Sequence, residues 1–201
     1  MRLKLGFLAS HNGSSMRAIV KAIAERRLDG EACVVISNNA ESPALAFARE
    51  QGIPAEHISG TKLGGEVDCD HAIADSLASH GAEIVVLSGY MRKLGPETLA
   101  RYRGRILNIH PGPLPSYGGQ GMYGRHVHEA VIAAGEKASA ITIHLVDAHY
   151  DHGPVVARRQ VPVEKGDSAE TLAKRVQSLE PEFFVATLQQ VASGALQLPQ
   201  I

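Results

Sequence analysis

The stretch Arg105-Ile106-Leu107-Asn108-Ile109-His110-Pro111-Gly112-Pro113-Leu114-Pro115-Ser116-Tyr117 decides how the chain is read. Its first half is a short apolar run, as in a buried strand. Its second half cannot be regular structure, because Pro111, Pro113 and Pro115 have locked φ and no N–H to give to a ladder. Asn108 and His110 stand two residues apart, so a strand puts both side chains on one face. An amide and an imidazole therefore point the same way where a strand runs out. In open parallel sheets that end is where ligands bind.

Outward from this stretch, short apolar runs alternate with amphipathic ones, the signal for βαβ units and a parallel sheet. Upstream, strands are expected at Leu3 to Ala9, Ala32 to Ser37, Ala55 to Ile58 and Ile84 to Leu87, the last apolar throughout and so covered on both faces. Between them come helices at Met16 to Arg27, from Ser42-Pro43 to Gly52, and at Asp68 to His80, with a flexible loop from Ser59 to Gly65 carrying Lys62. A short helix from Pro96 to about Tyr102 leads into the organising strand. Downstream, Gly118 to Gly124 holds four glycines and no periodicity, which reads as a mobile loop. Arg125 to Ala134 is helical, and Ala140 to Asp147 alternates as a strand with one polar face. After the turn at Asp151-His152-Gly153-Pro154, Val155 to Val163 returns antiparallel, because the connection is too short for a crossover. Asp167-Ser168-Ala169-Glu170 resembles a capping box. The helix after it buries Leu172, Val176, Leu179, Phe183 and Leu188, and Pro181 should kink it near Glu180. The fold class is α/β: a doubly wound, mostly parallel sheet, Rossmann-like, with helices on both faces and an antiparallel late strand.

Composition narrows the functions. The chain has 201 residues, 44% of them hydrophobic, enough for one sizeable domain. Twenty basic residues against 21 acidic ones give a net charge of −1, which offers no track for nucleic acid. Two cysteines make neither a disulfide framework nor a zinc ribbon. The start runs into polar Ser10-His11-Asn12 too soon for a signal peptide, and no apolar run approaches a membrane helix. A soluble, cytoplasmic protein with no membrane contact is expected.

Three groups of residues could carry chemistry. Asn108 offers donors for an oxyanion and His110 a proton carrier near neutral pH; the alternative is a structural histidine bonded to a carbonyl. Asp151 could fix an imidazole's tautomer and stabilise its charged form, or simply form a turn through its own backbone. His144 and Thr142 share a strand face and either line the pocket or face solvent. The loop Asn12-Gly13-Ser14-Ser15 at a helix start suits a phosphate, or is an ordinary cap. His126, His128, His144, His149 and His152 lack zincin spacing and a cysteine partner, so no metal is expected.

Together these pieces resemble the phosphoribosylglycinamide formyltransferases, a folate-dependent family. The resemblance spans nearly the whole chain. It is most specific in Leu107-Asn108-Ile109-His110-Pro111 with Leu114-Pro115, followed by Asp151-x-Gly153-Pro154, and it extends to Asn12-Gly13-Ser14 and Gly89-Tyr90-Met91-Arg92. It implies a transferase of purine biosynthesis that moves the formyl group of 10-formyltetrahydrofolate, as co-substrate, to the amine of glycinamide ribonucleotide (GAR). It implies Asn108 and His110 holding the oxyanion, with Asp151 orienting His110 and helping to take the amine's proton. Asn12, Gly13, Ser14, Ser15 and Glu180 would meet the ribonucleotide. Met91, Arg92, Lys93, Leu94, Val146 and Asp147 would line the folate pocket. It further implies a single domain over 1–201, a nucleotide-type half to about 103 and a catalytic half from about 104, working as monomer or homodimer on small molecules.

Three departures stand out. The family's phosphate loop is usually Gly-x-Gly-Ser-Asn, and here it is His11-Asn12-Gly13-Ser14-Ser15. A basic residue before the third helix aligns with Glu66, with Lys62 as its replacement. The Gly118 to Gly124 segment is longer than in short members and would lie as a lid over the ribonucleotide. Other readings are formylation of a different amine such as a sugar nucleotide, hydrolysis of the formylfolate, and a non-catalytic nucleotide- or folate-binding module. The hydrolases carry an extra N-terminal domain, whereas this chain opens on its first strand.

Overall fold

The computed structural model describes residues 1–200; Ile201, the last residue of the expected domain, lies outside them. Fourteen elements follow in order: β1 (Leu3–Leu8), α1 (Ser14–Ala24), β2 (Gly30–Ser37), α2 (Pro43–Glu50), β3 (Ala55–His57), α3 (Gly60–Leu63), α4 (Glu66–Ser79), β4 (Ile84–Leu87), α5 (Pro96–Arg101), β5 (Ile106–His110), α6 (Arg125–Ala133), β6 (Ala138–Leu145), β7 (Val155–Pro162) and α7 (Ala169–Ser193). The seven strands form one sheet in the order β3-β2-β1-β4-β5-β6-β7. Strands β1 to β5 pair in parallel. Strand order reverses between β1 and β4, and that switch point opens a crevice at the carboxyl ends of the two strands.

The expected antiparallel pairing of the last two strands is present. A second antiparallel pairing joins β5 to β6, with Asn108 opposite His144 and His110 opposite Thr142. The strand that runs against the others is therefore β6, and β7 returns to their sense. Residues 111–137 are long enough for either direction, so local sequence does not set it.

Alternation along the strands divides the core. Leu3, Leu5 and Phe7 of β1 pack with Met16 and Ile19 of α1 and Phe184 and Leu188 of α7 on one face. Leu8, with Val34 and Ile36 of β2, packs with Ile73 and Leu77 of α4 on the other. A Cβ on Gly6 would lie 2.4 Å from Leu77, so glycine is what lets α4 sit this close.

Some expected details move. Helix α1 starts at Ser14, because Gly13 turns the chain at φ 63° just before it. The expected flexible loop Ser59 to Gly65 instead winds one helical turn, α3, capped by the Ser59 hydroxyl. A capping box opens α7 one residue later than expected, with Ser168 in place of Asp167 as the cap and Thr171 in place of Glu170 closing it. Within α7, Phe184 is the fully buried phenylalanine, while Phe183 and Leu179 are partly buried. The helix is continuous through Pro181.

One buried carboxylate ties α4 to α5. Asp70 Oδ2 accepts the Glu97 N–H at 2.7 Å, and Oδ1 accepts the Thr98 N–H at 3.1 Å and the Thr98 hydroxyl at 2.6 Å. Gly95 makes room, since a Cβ there would meet Asp70 at 2.3 Å. Asp70→Ala strips two N–H groups of their acceptor, leaves the Thr98 hydroxyl only the Asp70 carbonyl at 3.2 Å, and is expected to cost about 2–4 kcal/mol, read from urea unfolding. Asn at 70 keeps one acceptor oxygen and recovers part of that loss.

Candidate active site

Pro111, Pro113 and Pro115 leave the loop after β5 short of N–H donors, and side chains serve several of its carbonyls. Thr142 Oγ1 donates to Gly112 O at 2.7 Å, Arg158 donates to Leu114 O, and His110 Nε2 donates to Tyr117 O at 2.7 Å. The last bond decides a tautomer. A carbonyl only accepts, so the His110 proton sits on Nε2 and Nδ1 carries a lone pair.

That Nδ1 lies 3.4 Å from Oδ2 of Asp151. The other oxygen, Oδ1, lies 3.4 Å from Nε2 of His144. The carboxylate thus stands between two buried imidazoles, both 4% exposed or less. Asp151 reaches this position from the β6–β7 turn with φ 55°, in the left-handed region. Gly118 admits it closely, as a Cβ there would lie 3.0 Å from Asp151 Cβ, and the Gly119 N–H donates to Oδ2 at 3.1 Å.

Burial holds the His110 imidazole below its ordinary pKa, against the opposing pull of Asp151, so the ring is neutral at pH 7. Burial works to raise Asp151, but His144, His110 and the Gly119 N–H outweigh it and keep the carboxyl below its usual range. With His110 neutral and its proton on Nε2, the Nδ1 lone pair and the Asp151 carboxylate face one another with no proton between them. The cluster is built to accept one.

Asn108, His110 and Asp151 line a cavity of about 650 Å³ together with Asn12, Gly13, Ser14, Ser15 and Glu180. At its far end lies the start of α1. The Ser14 and Ser15 N–H groups have no hydrogen bond among the described residues, whereas Met16 N–H is taken by the Ser88 hydroxyl at 3.0 Å. Free first-turn donors at a helix N-terminus favour an anion. The loops that carry this end are stitched by one hydroxyl. Ser10 Oγ donates to Asn38 Oδ1 at 2.6 Å and accepts the Met91 N–H at 2.8 Å, joining the segments that follow β1, β2 and β4.

The six residues expected around folate divide between two cavities. Met91 and Arg92 belong to the large one. Lys93, Leu94, Val146 and Asp147 line a neighbouring, mostly apolar cavity of about 550 Å³ with Pro96 and Leu99. Lys93 and Tyr150 stand at the junction, the ammonium 5.9 Å from the ring centre. Lys62 lines neither; it faces a third cavity of about 390 Å³ with Glu66. Among the described residues lining the large cavity, Arg92 is the one lysine or arginine.

Sequence reasoning left His144 undecided between pocket and solvent; the structure buries it against Asn108 and Asp151. Gln177 and Tyr150, which it did not single out, line the large cavity. The signal for His144 was its place opposite Asn108, visible only once β6 is known to run antiparallel to β5.

Glu180 is pushed up to about 7 by burial, with no ion-pair partner among the described residues. Between pH 4.5 and 7 the unfolded chain has released this proton and the folded one has kept it. The fold therefore loses stability as pH rises through that window. Glu180→Gln is expected to leave thermal stability unchanged at pH 4.5 and to raise it at pH 8, by on the order of 3 kcal/mol at most. Thermal melts at the two pH values check this.

A family model described as formyl transferase matches residues 3–188. Phosphoribosylglycinamide formyltransferase of Escherichia coli (strain K12) is 32% identical over 191 residues, 95% of this chain and 88% of that protein. A chloroplastic phosphoribosylglycinamide formyltransferase from Vigna unguiculata is 38% identical over 94% of this chain, which spans 60% of that protein. The trifunctional purine biosynthetic protein adenosine-3 of Gallus gallus is 34% identical over 98% of the chain, which spans about a fifth of its length (19%). Among solved structures, glycinamide ribonucleotide transformylase 1 from Symbiobacterium toebii superposes with a TM-score of 0.89 at 32% identity, covering 98% of this chain and 91% of that one.

Proposed function

This chain belongs to the formyl transferase family, and on that premise we propose that it transfers the formyl group of 10-formyltetrahydrofolate to the amine of 5'-phosphoribosylglycinamide, yielding the formylated ribonucleotide and tetrahydrofolate in purine biosynthesis. The observation that carries the reading is that Asn108, His110 and Asp151 line one cavity, with Asp151 set against His110 and the buried His144. An amine acceptor is itself a nucleophile once neutral, so no enzyme nucleophile is called for. The site has to supply proximity, an oxyanion donor and a place for a proton.

In this reading the amine nitrogen attacks the formyl carbon and the carbonyl pair moves to oxygen. Asn108 donates to that oxygen, with His110 beside it. The amine's proton passes to the acceptors formed by Asp151 and His110. The bond from carbon to N10 of the folate then breaks, and N10 takes a proton as it leaves. Asn12, Gly13, Ser14 and Ser15 hold the phosphate and Glu180 meets the ribonucleotide. The apolar cavity lined by Lys93, Leu94, Val146 and Asp147 takes the flat ring of the folate, with Met91 and Arg92 at the passage between the cavities. The proposed route uses no metal.

We take the chain to act as one domain in the cytoplasm, as monomer or homodimer; no helix among the described residues is long and apolar enough to cross a membrane. Steady-state assays with the purified chain and both substrates test the reaction. Formylation of the ribonucleotide amine at the rate of folate deformylation is the expected result. Deformylation without a formylated amine would make the chain a hydrolase, and binding without turnover would make it a non-catalytic module; either overturns the proposal.

A further inference from the structure

The amide of Asn108 has one hydrogen-bond partner among the described residues, and it is a histidine. Its Nδ2 lies 3.1 Å from Nε2 of His144. The imidazole is not free to choose its tautomer. Its Nδ1 lies 2.8 Å from the Leu145 carbonyl, which only accepts, so the proton is on Nδ1 and Nε2 presents a lone pair. His144 is 2% exposed and sits directly across the antiparallel ladder from Asn108, where facing side chains are in contact. A lone pair at Nε2 takes an N–H and repels an oxygen. The amide is thereby held with its nitrogen toward His144, and its second N–H remains unspent.

We propose that His144 is a positioning residue that fixes the amide orientation of Asn108, so that a donor rather than a carbonyl oxygen is available to the developing oxyanion. The inference rests on the reading of Asn108 as the oxyanion donor. Were His144 to carry a proton on Nε2, the amide would have to turn its oxygen toward the ring and the donor arrangement would be lost. Asp151 Oδ1 also approaches Nε2, at 3.4 Å, longer than the amide contact. The amide and the carboxylate compete for one ring nitrogen, and the shorter contact is the one that needs a lone pair there.

The test is a double-mutant cycle with a spectroscopic readout. His144→Phe removes the acceptor while keeping a flat ring, and is expected to lower kcat about 10- to 100-fold with KM for both substrates within about twofold, part of the loss on removing an oxyanion donor outright. His144→Gln, whose amide oxygen can accept from Asn108, is expected to recover kcat to within about tenfold of the parent. In an Asn108→Ala background, His144→Phe is expected to change kcat by less than about threefold, because the group it positions is gone. A full multiplicative loss in that background overturns the proposal, as does a loss carried by KM.

The second measurement does not depend on activity. In the full chain labelled with 15N-histidine, His144 is assigned by its absence in His144→Gln. It is expected to show a protonated Nδ1 and an unprotonated Nε2 whose resonance moves in Asn108→Ala. A protonated Nε2, or one indifferent to Asn108→Ala, overturns the proposal even where His144→Phe fails to fold. Absence of formyl transfer in the parent would sink the functional reading instead, and the nitrogen spectrum would still decide the placement.

Discussion

Asp151→Asn is expected to leave the fold intact and to lower turnover on the order of 10³-fold or more. The substitution is isosteric, and an amide oxygen can still accept the Gly119 N–H that now meets Oδ2. What it removes is the negative charge between two imidazoles. As it stands, the carboxylate lies 3.4 Å from His110 Nδ1 with no proton between them, and 3.4 Å from His144 Nε2, whose lone pair the Asn108 amide takes. With asparagine, the amide N–H₂ donates into that space and fills it. The proton of an attacking amine then has nowhere to go, and His110⁺, if formed, has no counter-charge. Measured kcat under saturation, with a thermal melt to confirm folding, checks this. A variant that turns over at near-normal rate would take Asp151 out of the mechanism.

Gly153→Ala is the second large effect, and it acts through backbone. Gly153 is buried in the β6–β7 turn, and a Cβ there would stand 2.0 Å from the Leu145 carbonyl oxygen and 2.8 Å from its carbon. No rotamer relieves a clash between two main-chain segments, so the turn must shift. The expected loss is at least about 2 kcal/mol, or about 4–8 °C in Tm for a chain of this size. The damage reaches the chemistry. The Leu145 carbonyl is the acceptor that sets the tautomer of His144, and Asp151 is two residues from the substitution. Turnover of the folded variant, measured well below its Tm, is expected to fall more than tenfold. A variant that melts and turns over like the parent would show that the turn relaxes freely.

Much of the fold was legible because its signals are local. Period-two alternation, the Ser42-Pro43 cap and the apolar run of Ile84 to Leu87 each act within a few residues, and each lies where expected. The Asn108 and His110 pair was legible for the same reason: two residues apart in a strand means one face. Asp151 could be singled out as a residue, but its approach to His110 depends on a turn that brings together positions 41 apart. His144 was harder, since its meaning comes from register across an antiparallel ladder whose direction the intervening segment leaves open. The cap at α7 failed in a smaller way. The expected box ran from Asp167 to Glu170; the helix starts one residue later, so Ser168 is the cap and its third helical residue is Thr171. The six folate positions came from the family resemblance, and the structure divides them between two cavities.

The wall of the large cavity made by residues 119–124 touches the proton cluster through a single main-chain N–H, that of Gly119. A backbone donor is supplied by any residue but proline that can hold the same conformation. Beyond Gly119 no side chain of the segment hydrogen-bonds the cluster, among the described residues, while Gly121 and Gly124 hold φ of 87° and 53° that any replacement has to keep. Transplanting this segment from a relative of different length should change which amines are admitted while the formyl-handling half keeps running. On the proposed function, libraries confined to this one loop are expected to shift acceptor scope.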